Sequence, residues 1–212
     1  MLPSLLAALP DFALGLLCVT AWVAPEWIGV QWIRYVVLLM LMEFIVIHSS
    51  GFMGAAVWGS ARKAPRGLVI LGFGAFYTLF VGGFALVFKT WAPLVGFWVL
   101  TLNRLLGAVV GQADGKEKAL VMRGWAACTL FYLLVVFATT LLPVPRLGVT
   151  PEIAIAANIP GDSGLWVTRP YTVLAAGFVY FTACAVSELS GHRWLPISVE
   201  GSRRGSKAVE GV

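Results

Sequence analysis

The chain has 212 residues, 59% of them hydrophobic and only 12% charged, about half the roughly 25% charge of an ordinary soluble domain. Five or six apolar runs of about 20 residues exclude a soluble, secreted or single-pass fold and predict an all-α, polytopic membrane helical bundle. The formal charge of +5 comes from sparse Lys and Arg between those runs, so it reads as a topology signal and not as a nucleic-acid-binding face.

The first run, "MLPSLLAALPDFALGLLCVTAWV", lacks a basic n-region and carries Asp11 within its apolar stretch. It reads as a spanning helix in preference to a cleaved signal peptide. About six spans are expected in all, near 3–23, 31–56, 67–88, 91–112, 120–142 and 170–190. They form one domain over 1–192, followed by a short basic tail over 193–212. The punctuation between them, "APEW", "SARKAPRG", "KTWAP" and "TTLLPVP", is rich in helix breakers. With six crossings the inner side holds Arg62, Lys63, Arg66, Lys116, Lys118, Arg123, Arg193, Arg203, Arg204 and Lys207, whereas the outer side holds Arg34, Lys89, Arg146 and Arg169. Both termini are therefore expected in the cytoplasm. The tryptophans agree: Trp22, Trp27, Trp32, Trp91 and Trp166 fall at outer ends, Trp58, Trp125 and Trp194 at inner ends, and Trp98 inside a span.

The second span, "LLMLMEFIVIHSSGFMG", places Glu43 and His48 in oily surroundings. Counted from the outer face, Glu43, Arg104 of "VLTLNRLLG" and Asp11 reach similar depth. An unpaired charge there costs at least a few kcal/mol, so a Glu43–Arg104 pair is the leading contact, with Asp11 or His48 as a second partner. His48 lies about 140° around the helix from Glu43, Ser50 shares the Glu43 face, and Asn103 points away from Arg104 toward another helix. Such a set serves packing, a substrate, proton or ion path, or docking of another subunit, and polar composition alone does not separate the three.

Gly51, Gly54 and Ala55, and Gly67, Gly72, Gly74, Gly82 and Gly83 of the third span, are expected to permit close helix approach. The one long outer connection holds "EIAIAANI", a short strand or an interfacial or re-entrant helix, and "PGDSG", a turn. Its "GDSG" string, without a nearby histidine, does not read as a serine protease. Arg169 and Tyr171, at the membrane re-entry, read as an interfacial anchor or as part of a mouth above Glu43. Near the inner end of the last span, "SELSGHRW" sets Glu188 and His192 four apart, which resembles half of a metal or acid/base site whose other half is missing and reads in preference as a hydrated membrane-interface cluster. There is no HExxH, P-loop or dinucleotide fingerprint, and Cys18, Cys128 and Cys184 have neither disulfide nor thiolate-metal spacing. No cofactor and no metal are expected.

"MEFIVIHSSGFMG", "GFGAFYTLFVGGF" and "RPYTVLAAGF" occur in an order that resembles an uncharacterised bacterial multi-pass membrane family. The resemblance touches most of the chain and implies a bacterial cytoplasmic (inner) membrane location. It carries no activity, and the scarcity of histidines in the later spans departs from any metal-binding role. Two functions stay open. One is a small membrane subunit or accessory protein whose partners are lipids and other membrane subunits or itself, and not nucleic acid. The other is a transporter or membrane-embedded enzyme handling a polar or anionic solute at Glu43 and Arg104.

Overall fold

The computed structural model describes residues 2–59, 63–110 and 115–195. Of the basic residues expected in the inner loops and tail, Arg62, Arg203, Arg204 and Lys207 lie outside the described residues, and so do the side chains of Lys63, Arg66, Lys116 and Lys118 and that of Trp58. The described chain is all helix: α1 Leu2–Val23, α2 Pro25–Ile28, α3 Gln31–Gly59, α4 Lys63–Phe88, α5 Ala92–Val110, α6 Gly115–Leu141, α7 Pro151–Ala156, α8 Leu165–Thr168 and α9 Pro170–Leu189. Five of these, α1, α3, α4, α6 and α9, are long and apolar enough to cross a membrane. The sixth expected span is helical over Ala92–Val110, about 28 Å at the usual rise, and its described apolar stretch, Ala92–Leu106, is the shortest of the set.

α3 and α9 are the central helices. In α9, 61% of the most apolar window is buried, against 11% in α6. α1 and α6 pack along α9, while α4 and α5 pair with each other and reach the bundle through α3. Two buried clusters result. One joins α1, α3, α6 and α9 around Met40, Tyr132, Leu174, Tyr180 and Phe181, and the other joins α3, α4 and α5 around Ile45, Met53, Ile70 and Phe97.

Close approach comes partly from glycines other than those expected. A Cβ on Gly177 would lie 2.7 Å from Cys18 Sγ, and one on Gly15 would lie 3.0 Å from Thr182 Oγ1, which lets α1 lie against α9. Gly51 and Gly74 do serve as expected, against Trp125 and Thr101. Gly72, Gly82 and Gly83 do not: a Cβ there would meet nothing within 4 Å among the described residues. The composition of α4 marks small residues without marking the face they occupy.

The outer connection is pinned to the bundle. Trp22 Nε1 donates to Pro145 O at 2.9 Å, Gly148 N donates to Trp22 O at 3.0 Å, and Val149, Ala157 and Ile159 are buried. "EIAIA" forms α7, started by Pro151 after Thr150, whose hydroxyl accepts from Ile153 N. Gly161 and Gly164, at φ of 118° and 117°, make the turn expected at "PGDSG". Arg169 is exposed, and Tyr171 lies under the Arg146 guanidinium, 5.7 Å from ring centroid to charge.

Candidate functional site

The expected Glu43–Arg104 pair does not form. Arg104 Nη1 donates to Ser49 Oγ at 3.3 Å and lies 3.6 Å from Met53 Sδ, and its Nη2 donates to Ser50 Oγ. The cause is helix offset. Arg34, one turn into α3, donates to the last carbonyl of α4, Phe88 O, at 2.6 Å, so the α4–α5 turn lies inward of the start of α3. Counting depth from each helix's own beginning put Arg104 level with Glu43. In the fold it reaches the inner half of α3, where serines in place of an acid receive its N–H groups. Asn103, beside it, is exposed and meets no other helix among the described residues.

Glu43 faces the other way, toward α9. Its Oε1 accepts a hydrogen bond from Tyr180 Oη at 2.7 Å, which offsets part of the cost of burying a carboxylate. The Tyr180 ring meets Tyr132 edge to face at 5.5 Å, and Tyr132 Oη donates to Met40 O at 2.9 Å. One turn inward, the Cys184 thiol contacts Cys128 Sγ at 3.6 Å, both as free cysteines. Sequence spacing gave no sign of this contact, because the two residues lie on different helices. Asp11 of α1 lies one turn before Gly15, which packs against Thr182, so it sits beside the stretch of α9 that leads from Tyr180 toward Glu188. The two polar groups read separately from sequence are thus one strip along α9.

His48 leaves this strip, as its angle from Glu43 predicts. Its Nδ1 lies 3.0 Å from Phe44 O, its ring packs 4.0 Å from that of Phe44, and it lines a groove of about 320 Å³ with Gly51, Phe52, Trp125 and Thr129. Trp125 closes the α3–α6 contact by donating to Ile47 O at 2.9 Å.

The inner end of α9 is closed by a hydrogen-bonded cap. α9 stops at Leu189, and Gly191 in the left-handed region (φ 61°) lets Gly191 N donate to Glu188 O and His192 N donate to Ser187 O. This is a Schellman cap, the common helix stop at glycine. It folds His192 back over the last turn, so that His192 Nε2 donates to Glu188 Oε2 at 2.6 Å and Nδ1 lies 2.8 Å from Ser187 Oγ. Trp194 Nε1 donates to the same hydroxyl at 2.7 Å. His192 is 4% exposed and Ser187 is buried with it, while the Glu188 side chain is 33% exposed at the edge of the cluster. Gly124 of α6 makes the room, since a Cβ there would lie 3.2 Å from His192 Nε2. Ser187, missed in the sequence, is the third member, and its only sequence signal is adjacency to Glu188.

No group of three or more His, Cys, Asp or Glu side chains suited to a metal ion occurs among the described residues. Comparison with protein-family models, curated proteins and solved structures finds no match. The functional reading therefore rests on the geometry of these side chains.

Proposed function

We propose that the chain is a small integral membrane subunit or accessory protein, with both termini in the cytoplasm of a bacterial cell and its helices in the inner membrane. The observation that supports this reading is Asn103. It stands exposed on α5 among Val99, Leu100, Leu102 and Leu106, which are also exposed. A carboxamide facing hydrocarbon lacks hydrogen-bond partners, and a polar side chain from a neighbouring membrane helix supplies them at about 0.6–2 kcal/mol per bond. Glu43, Arg104 and His192, by contrast, find hydrogen-bond partners within the chain. The alternative, an anionic solute held between Glu43 and Arg104, loses its geometry because the two side chains face different helices.

The test is native mass in mild detergent together with the identity of co-purifying proteins. Wild type is expected in a defined complex, hetero- or homo-oligomeric, and Asn103→Val is expected to release the chain as a folded monomer. A wild-type monomer, or an assembly indifferent to Asn103→Val, would remove the proposal.

A further inference from the structure

Along the outward face of α9 runs a groove of about 550 Å³, walled by Phe131, Phe178, Val179, Thr182, Ala183 and Val186 and ending at Ser187, Ser190 and Trp194. Its walls are apolar and its inner end carries hydroxyls. Ser187 therefore belongs both to this groove and to the His192–Glu188 pair, which separates it from the Glu43 and Arg104 clusters in the closed interior.

The hydrogen bonds at that end fit two proton arrangements, a doubly protonated ring donating to both neighbours or a neutral ring protonated at Nε2, and the second is the one that can activate Ser187. An ionised Glu188 carboxylate only accepts, so His192 donates through Nε2–H, and the neutral ring leaves its Nδ1 lone pair for the Ser187 hydroxyl. Nucleophile, base and a third group orienting the base then lie in sequence, at 2.8 Å and 2.6 Å, the arrangement that activates a serine. His192 holds φ at 52°, a conformation uncommon outside glycine that is retained where surroundings enforce it. The Trp194 indole N–H donates to Ser187 Oγ at 2.7 Å, which leaves the hydroxyl proton free to point at His192 Nδ1.

Depth supplies the substrate. α9 has 20 residues and Ser187 is in its last turn, about 26 Å from its outer end. A hydrocarbon core is about 30 Å thick, so the hydroxyl sits near the inner boundary where the ester linkages of lipids lie. An acyl chain attached there would extend past Val186, Ala183 and Phe178 toward the bilayer centre.

We propose that Ser187, His192 and Glu188 form an acyl-transfer site that hydrolyses a lipid acyl ester whose chain lies in this groove. Ser187 Oγ attacks the ester carbonyl carbon as its proton passes to His192 Nδ1. The bond from that carbon to the leaving alcohol breaks, and the alcohol takes the proton from Nδ1. Water, deprotonated by Nδ1, then releases the acyl group as a carboxylic acid and restores the serine, so ester and water become acid and alcohol. Glu188 acts as a positioning residue, holding the imidazole in the tautomer that leaves Nδ1 free.

The experiment is covalent labelling of the purified full chain in mild detergent with a long-chain alkyl fluorophosphonate, followed by peptide mapping of the adduct. The adduct is expected on Ser187. It should disappear in Ser187→Ala and persist in Ser163→Ala, which changes the serine of the outer "GDSG" string. His192→Asn keeps a residue that tolerates the left-handed backbone and should slow labelling by about 10²–10⁴-fold. An unlabelled wild type, an adduct on another hydroxyl, or a rate unchanged in His192→Asn would overturn the proposal. Mapping the wild-type adduct decides the matter even if a variant fails to fold.

Discussion

The two halves of the bundle that share α3 are held by different means. On the α1–α6–α9 side, side chains of separate helices meet through specific polar contacts: Glu43 with Tyr180, Cys128 with Cys184, Tyr132 with the Met40 carbonyl, and His192 under Gly124. On the α4–α5 side the contacts are mainly apolar, and the polar ties to α3 are the guanidinium of Arg104 against two serines and that of Arg34 on the Phe88 carbonyl. In lipid the hydrophobic effect gives no net drive for helices to associate, so close packing and hydrogen bonds carry the energy. The first half should therefore be the rigid one and the hairpin the part that yields to its surroundings, which suits a hairpin whose outer face bears Asn103.

Removing the centre of the first half is the strongest way to break this contrast. Tyr180 is 1% exposed, meets both Tyr132 and Phe181 edge to face and is hydrogen-bonded to Glu43. Tyr180→Ala should cost about 3–5 kcal/mol, as large-to-small changes of buried aromatics do. Tyr180→Phe keeps the ring but strands the Glu43 oxygen, for about 1–3 kcal/mol. Steric-trap or denaturant unfolding in bicelles reads both. A Tyr180→Phe as costly as Tyr180→Ala would mean that the hydrogen bond, and not the packing, holds the half together.

A smaller effect sharpens the contrast at glycines. Gly177→Val pushes a branched side chain into Cys18 and Met40, whose sulfurs lie 2.7 and 3.5 Å from the added Cβ, and overpacking of this kind costs about 1–3 kcal/mol. Gly82→Val on α4 enters open space and should change stability by less than about 0.5 kcal/mol. Equal effects in a thermal-stability assay would mean that the α4 face is occupied in the membrane.

The helices were legible in the sequence because lipid forces every backbone amide into a helix, and a run such as 170–190 has no other fate. The site was legible only in part. Glu43, Asp11, Glu188 and His192 stand out as ionisable residues among apolar ones, and the fold gathers them along one strip. Their partners were not legible, because pairing depends on offsets between helices that hydropathy does not encode. Arg104 meets Ser49 and Ser50, almost two turns past Glu43 on α3, while Glu43 pairs with Tyr180 of α9. The partnership of Tyr180 with Glu43 and of Cys128 with Cys184 carries no mark until the helices are seen side by side, and Ser187 has none beyond its place next to Glu188.

The smallest expected effect lies in the connection that covers the outer end of the rigid half. A hydrogen bond from the Thr150 side chain, with its own backbone amide as a second donor, holds the Glu152 carboxyl below the ordinary carboxylate value. A depressed folded pKa means that the contribution to stability is fully present above the unfolded value and is lost as pH falls through the folded one. Glu152 is fully exposed, so solvent screens the effect. The consequence should be local: α7 loosens in acid while the bundle beneath it, tied through Trp22 and Gly148, does not. Following the Glu152 carboxyl by NMR should give a midpoint below that of a model glutamate, rising toward it in Thr150→Val. A midpoint indifferent to Thr150→Val would show that the Thr150 hydroxyl does not set the carboxyl's affinity for protons. The connection would then be held to the rigid half by the Trp22 and Gly148 hydrogen bonds, with the Thr150–Glu152 contact contributing nothing that pH can remove.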